Sequence, residues 1–112
     1  MDANRTIEKI QKLAEKKKSA KIIKFLGTSE KEVAVAALEA LAKVKDEDSV
    51  NSIAGMIDSD TPEVRAAAAE ALGEIGTEYA KTYLQHRASK EQDEKVQAAI
   101  KAALHVIAEK IK

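Results

Sequence analysis

The stretch DTPEVRAAAAEALGEIG, Asp60–Gly76, places four consecutive alanines between an arginine and a leucine. A helix on the outside of a bundle buries one stripe and can carry polar residues around the rest of its circumference. A helix held between neighbours on several sides needs small residues wherever backbones approach closely. Alanine meets that need and also has the best helix propensity. The run therefore marks a helix inside a stack, with Thr61 as its cap, Pro62 at its first position and Gly76 as a left-handed stop. Gly73 lies within the helix, where it costs about 1 kcal/mol against alanine, and so marks a close contact.

The same pattern recurs on both sides. Val33, Leu38, Leu41 and Val44 return 31 positions later as Val64, Ala69, Leu72 and Ile75, and Ile7, Ile10 and Leu13 precede Leu38, Leu41 and Val44 by the same interval. The intervening segment keeps step, Ile22, Leu26 and Ser29 becoming Ile53, Ile57 and Asp60. Toward the carboxyl end the shift is 32, from Val64, Leu72 and Ile75 to Val96, Leu104 and Ile107. The additional residue falls in the polar stretch SKEQDEK, Ser89–Lys95, which is read as a loop. A repeat of this length with two helical patterns per unit and no sustained period-two alternation is the signature of a helical array.

Helices are expected near residues 4–17, 19–26, 30–44, 49–57, 62–75, 78–88 and 93–111, with a capping box from Ser29 and Glu32 and a left-handed stop at Gly27. The expected fold is all-α, a right-handed α-α superhelix of about three and a half repeats spanning residues 1–112 as a single domain.

Asp60, Pro62, Val64, Arg65, Ala68, Ala69, Ala71, Leu72, Gly73, Ile75 and Gly76 fill the pattern D-x-P-x-V-R-x-x-A-A-x-A-L-G-x-I-G. That pattern resembles the repeat of the HEAT family, in the short form named after phycobilin lyases. The neighbouring copies depart from it, since Ala34 and Gln97 stand where the repeat has its arginine and neither copy has its proline. The resemblance implies that the second helix of each pair lines a concave binding face. Carried over by register, it assigns three rows: Asn4, Val35, Ala66 and Ala98; Glu8, Glu39, Glu70 and Ala102; Lys12, Lys43, Glu74 and Val106. The candidate partner-binding residues are accordingly Val35, Glu39, Lys43, Ala66, Glu70, Glu74, Ala98, Ala102 and Val106.

Composition bounds what this surface does. Nineteen basic and nineteen acidic residues cancel, so no global positive field draws the chain to nucleic acid or a membrane surface. A run of lysines, Lys16, Lys17, Lys18, Lys21 and Lys24, sits at one end of the array, and only three aromatic residues offer stacking surfaces. There is no cysteine, and neither His86 nor His105 is followed by Glu in the manner of HEAT-repeat di-iron hydroxylases. No glycine-rich phosphate loop or nucleophile elbow appears, and no apolar run reaches the ~18 residues of a membrane span. The expectation is a non-enzymatic, cytoplasmic protein-interaction module or scaffold without a cofactor, whose partner is a protein. Val106 and Ala102 lie off the apolar stripe Val96, Ala99, Ile100, Ala103, Leu104, Ile107 and Ile111, which leaves room for a weak homodimer through the carboxyl-terminal helix. The phycobilin-lyase resemblance supplies a second reading, a chromophore-handling protein, and nucleic-acid binding a third.

Overall fold

The computed structural model describes residues 2–111, with Ile111 described in its backbone alone. It consists of α1 (Ala3–Glu15), α2 (Ser19–Ile23) continued by a 3-10 turn (Lys24–Gly27), α3 (Lys31–Val44), α4 (Glu47–Met56), α5 (Pro62–Ile75), α6 (Glu78–Ala88) and α7 (Glu94–Ile111). No strand occurs among the described residues. The chain is an all-α solenoid. In one layer α1, α3, α5 and α7 pack side by side in chain order; α2, α4 and α6 form a second, more thinly joined layer behind them.

The repeat register explains the core. Ile10, Leu41 and Leu72, spaced by 31 residues, are all fully buried between consecutive helices of the first layer. The next equivalent residue, Leu104 on α7, is half-buried. In the second layer Ile22, Ile53 and Leu84 are fully buried in the same way. Helix α5 touches α3, α4, α6 and α7 at once, and Ala67, Ala68 and Ala69 are buried against them. Only Ala66 of the four alanines retains partial exposure. At Gly73 a Cβ atom would stand 2.9 Å from Cβ of Ala103, so the absence of a side chain sets how closely α5 and α7 approach.

Helix ends depart from the expected signals in several places. Ser29 and Glu32 form no capping box: α3 begins at Lys31 after an N-cap at Glu30, and Thr28 Oγ1 accepts the Glu30 N–H instead. The cause lies upstream, where the 3-10 turn runs through Gly27 and closes with the Thr28 N–H on the Phe25 carbonyl. Gly27 consequently lacks the left-handed φ expected of it. Thr61 and Pro62 occupy the expected cap and first positions of α5, yet the threonine hydroxyl makes no capping bond. Helix α1 stops at Glu15 because Lys17 turns left-handed, φ 56°, while Lys17 N–H and Lys18 N–H bond back to Ala14 and Leu13. Helix α4 begins two residues early, at Glu47, because Asp46 caps it through the Ser49 N–H at 2.9 Å. Gly76 takes the left-handed conformation as expected, φ 68°, and Lys45 takes it at the equivalent end of α3, φ 59°.

Candidate functional site

Two adjoining grooves cross the face of the first layer. One, of about 570 Å³, lies between α1 and α3; the other, of about 800 Å³, lies between the start of α5 and the connection into α7. Val35 belongs to both, so they meet on α3. Their floor is apolar and half-buried, formed by Ile7, Ala36 and Val35 on one side and by Pro62 and Ala66 on the other. Helical periodicity produces this directly: the wide buried stripe of α3 runs through Val33, Ala34, Ala37 and Leu38, and Val35 and Ala36 form its margin.

The rim is charged and predominantly acidic. Seven carboxylates line the two grooves against two lysines, Lys43 and Lys95, in a chain whose total charge is zero. Glu39 and Glu70 are exposed at equivalent positions on α3 and α5 and form no ion pair within the described chain. Glu63 differs, meeting Lys31 at 3.1 Å across α3 and α5. Its own backbone N–H and that lysine hold its carboxyl below the usual range.

Of the residues expected on the binding face, Val35, Glu39, Lys43, Ala66 and Glu70 come together along these grooves. Glu74 lies beyond them, exposed, with its carbonyl accepting from Lys110 Nζ at 2.8 Å. Ala98, Ala102 and Val106 are exposed on α7 and line neither groove. The lysines at 16, 17, 18, 21 and 24 are all exposed at the α1–α2 corner, outside both. His86 and His105 are exposed, on α6 and α7 respectively, and His105 Nε2 stands 4.0 Å from Glu109. Among the described residues no three His, Cys, Asp or Glu side chains cluster as metal ligands, and no helix is long and apolar enough to cross a membrane.

One wall of the larger groove depends on a residue that the repeat pattern does not reveal. The additional residue expected in the polar stretch 89–95 is instead taken up by α6, which has 11 residues where α4 has 10, so the connections 57–61 and 89–93 are equal in length. Within the second of these Glu91 is buried, with 4% of its surface exposed. Its Oε1 accepts from Arg65 Nε and from Arg87 Nε, each at 2.9 Å, and its Oε2 accepts from Arg65 Nη2 at 3.0 Å and from the Asp93 N–H at 3.0 Å. Arg65 also donates to the Ser59 carbonyl, and Arg87 to Asp58 at 3.1 Å. Burial pushes the Glu91 carboxyl up, but Arg65, the Asp93 N–H and Arg87 together bring it down to about 2. Gln97, which stands where the repeat has its arginine, donates to the Glu91 carbonyl at 2.7 Å. Instead of a ladder of stacked arginines, the repeat positions hold one arginine, Arg65, and one glutamine, Gln97, and these converge with Arg87 on a single buried glutamate. This cluster ties the α4–α5 turn, α5, α6 and α7 together and fixes the run from Gln92 to Lys95, which lines the groove. The Arg87–Glu91 spacing of four residues was readable as an ion pair, but pairs at that spacing are ordinary on exposed helix ends.

A second polar tie joins the earlier repeats. Asp46 accepts from the Ser19 and Ser49 hydroxyls, each at 2.6 Å, which draws the start of α2 to the start of α4 and lowers the Asp46 carboxyl.

Comparison with known proteins agrees with this architecture. The profile described as HEAT repeats matches residues 19–105, and the chain belongs to that family. No curated protein matches it. Among solved structures the chain is similar to an epoxyqueuosine reductase, crystallised with an epoxyqueuosine-modified tRNA-Tyr stem loop. The two share 22% identity and a TM-score of 0.68 over 78% of this chain, which spans 28% of the reductase. At that identity the likeness is one of fold.

Proposed function

We propose that this HEAT-repeat chain is a non-enzymatic protein-interaction module that holds a segment of its partner in the groove crossing α1, α3 and α5. The observation that carries the reading is the groove's half-buried apolar floor, continuous through Val35 and rimmed by charge. Such a surface offers desolvation at its centre and polar selectivity at its edge, the usual division of labour in a protein interface. Of the helices beneath it, α3 and α5 are packed on both sides within the first layer, so the centre of the surface is presented rigidly and little ordering entropy is lost on binding. The groove is predominantly acidic and the lysine run from Lys16 to Lys24 lies outside it, which favours a protein partner over nucleic acid.

The test is affinity capture from source-cell extract with Glu39→Lys/Glu70→Lys beside the wild type. Capture of a protein by the wild type and its loss in the variant, with the helical circular dichroism unchanged, is expected. Undiminished capture by the variant places the interface on another face.

A further inference from the structure

We infer that the occupant of this groove is a basic, extended polypeptide segment carrying small apolar residues between its lysines or arginines. The inference rests on the interaction-module reading above and specifies its partner. Charge is the first argument. Seven acids and two lysines line the groove while the whole chain is neutral, so the negative field is local, and the densest run of lysines, from Lys16 to Lys24, sits outside it at the α1–α2 corner. Lys31 pairs with Glu63 beside the groove, but among the described residues Glu39 and Glu70 form no such ion pair. An interface selects against like charge as strongly as it favours opposite charge, which turns away acidic segments and phosphodiester backbones.

Spacing is the second argument. Glu39 and Glu70 occupy the same register on packed neighbours, and packed helices lie about 8–10 Å apart. Three residues of an extended polyproline II chain complete one turn and rise about 9 Å, which returns every third side chain to the same face. A segment crossing the helices therefore presents a basic side chain to each acid in turn when those residues recur every third position. The side chains between them are limited in size by the floor, where Val35, Ala36 and Ala66 leave a shallow trough. The wall from Gln92 to Lys95 is held by buried Glu91 before any ligand arrives, so this end of the trough is preorganised.

The experiment uses fluorescence anisotropy with the complete chain and two labelled 12-residue peptides, alanine and valine with lysine at every third position, or glutamate in its place. Saturable binding of the lysine peptide is expected, weakening as salt rises, with no binding of the glutamate peptide. Glu39→Gln/Glu70→Gln should weaken the lysine peptide by about two- to thirtyfold, as two exposed ion pairs predict. Lys16→Gln/Lys21→Gln/Lys24→Gln should leave it unchanged. Glutamate-peptide binding that equals the lysine peptide's and is lost in Val35→Arg overturns the basic occupant and leaves the groove as an interface. Lysine-peptide binding indifferent to Glu39→Gln/Glu70→Gln, or no binding of either peptide, also overturns the basic occupant. The extract capture with Glu39→Lys/Glu70→Lys then decides separately whether the groove is an interface at all.

Discussion

Replacing Glu91 by glutamine removes the charge at the centre of the cluster while keeping its shape. In the wild type this carboxylate accepts three bonds from two guanidinium groups and one from the Asp93 N–H. Lowering its pKa from 4.5 to about 2 corresponds to about 3 kcal/mol of stability, at 1.36 kcal/mol for each pH unit. Removing one partner of a buried ion pair costs about 3–5 kcal/mol by analogy with other proteins. Glu91 lies just beneath the surface, which favours the lower end, about 2–3 kcal/mol. For a domain of this size that is a fall in melting temperature of roughly 10–20 °C. The sign of the pH dependence follows from the depressed pKa. The contribution is complete above pH 4.5 and is lost as pH falls toward 2, so wild type and Glu91→Gln should converge in acid. Thermal denaturation at pH 7 and near pH 2.5 measures this, and hydrogen exchange should show α6 and α7 opening first, since repeat arrays unfold along their length. A Glu91→Gln variant within about 0.5 kcal/mol of wild type at pH 7 would refute the assignment of stability to this cluster.

Leu72→Ala and Leu41→Ala should each destabilise the array by about 2–5 kcal/mol, because both side chains are fully buried at equivalent positions; an unchanged melting temperature in both would contradict the register. Gly73→Val must push α7 away through Ala103 and should cost about 1–3 kcal/mol by denaturant titration, a loss that Gly73→Val/Ala103→Gly should partly recover. Lys45→Gly should raise stability by about 0.5–1 kcal/mol, since it relieves a left-handed conformation at φ 59°; a lower melting temperature would show that the lysine stem contributes more than the strain costs. Labelled duplex DNA should show no saturable binding near physiological salt, and any low-salt signal should vanish when the lysines at 16, 17, 18, 21 and 24 are neutralised.

The fold was legible because a repeat states its core more than once. Ile10, Leu41 and Leu72 each carry an ambiguous local signal, but their common spacing places all three at one position between helices. The alanines of α5 were legible for a related reason: only a helix enclosed on several sides needs so many small residues together. Helix ends were less legible because caps are decided by two or three residues at a time. Ser29 and Glu32 have the spacing of a capping box, yet the 3-10 turn ahead of them moves the helix start to Lys31. Lysine at positions 17 and 45 gives no sequence signal for left-handed backbone, and both positions adopt it.

The site divides along the same line. Residues that obey the repeat, Val35 and Ala66, Glu39 and Glu70, could be placed on one face by counting, and they do line the grooves. Extrapolating the count to α7 gave Ala98, Ala102 and Val106, which the groove does not reach. The reason lies in the connection ahead of α7. Its Glu91 turns inward onto Arg65 and Arg87, and the chain that follows, from Gln92 to Lys95, closes the groove before the α7 rows begin. Periodicity locates what is repeated and is silent about what interrupts it. In this chain the interruption holds the last repeat in place and forms the end wall of the surface that the regular repeats create.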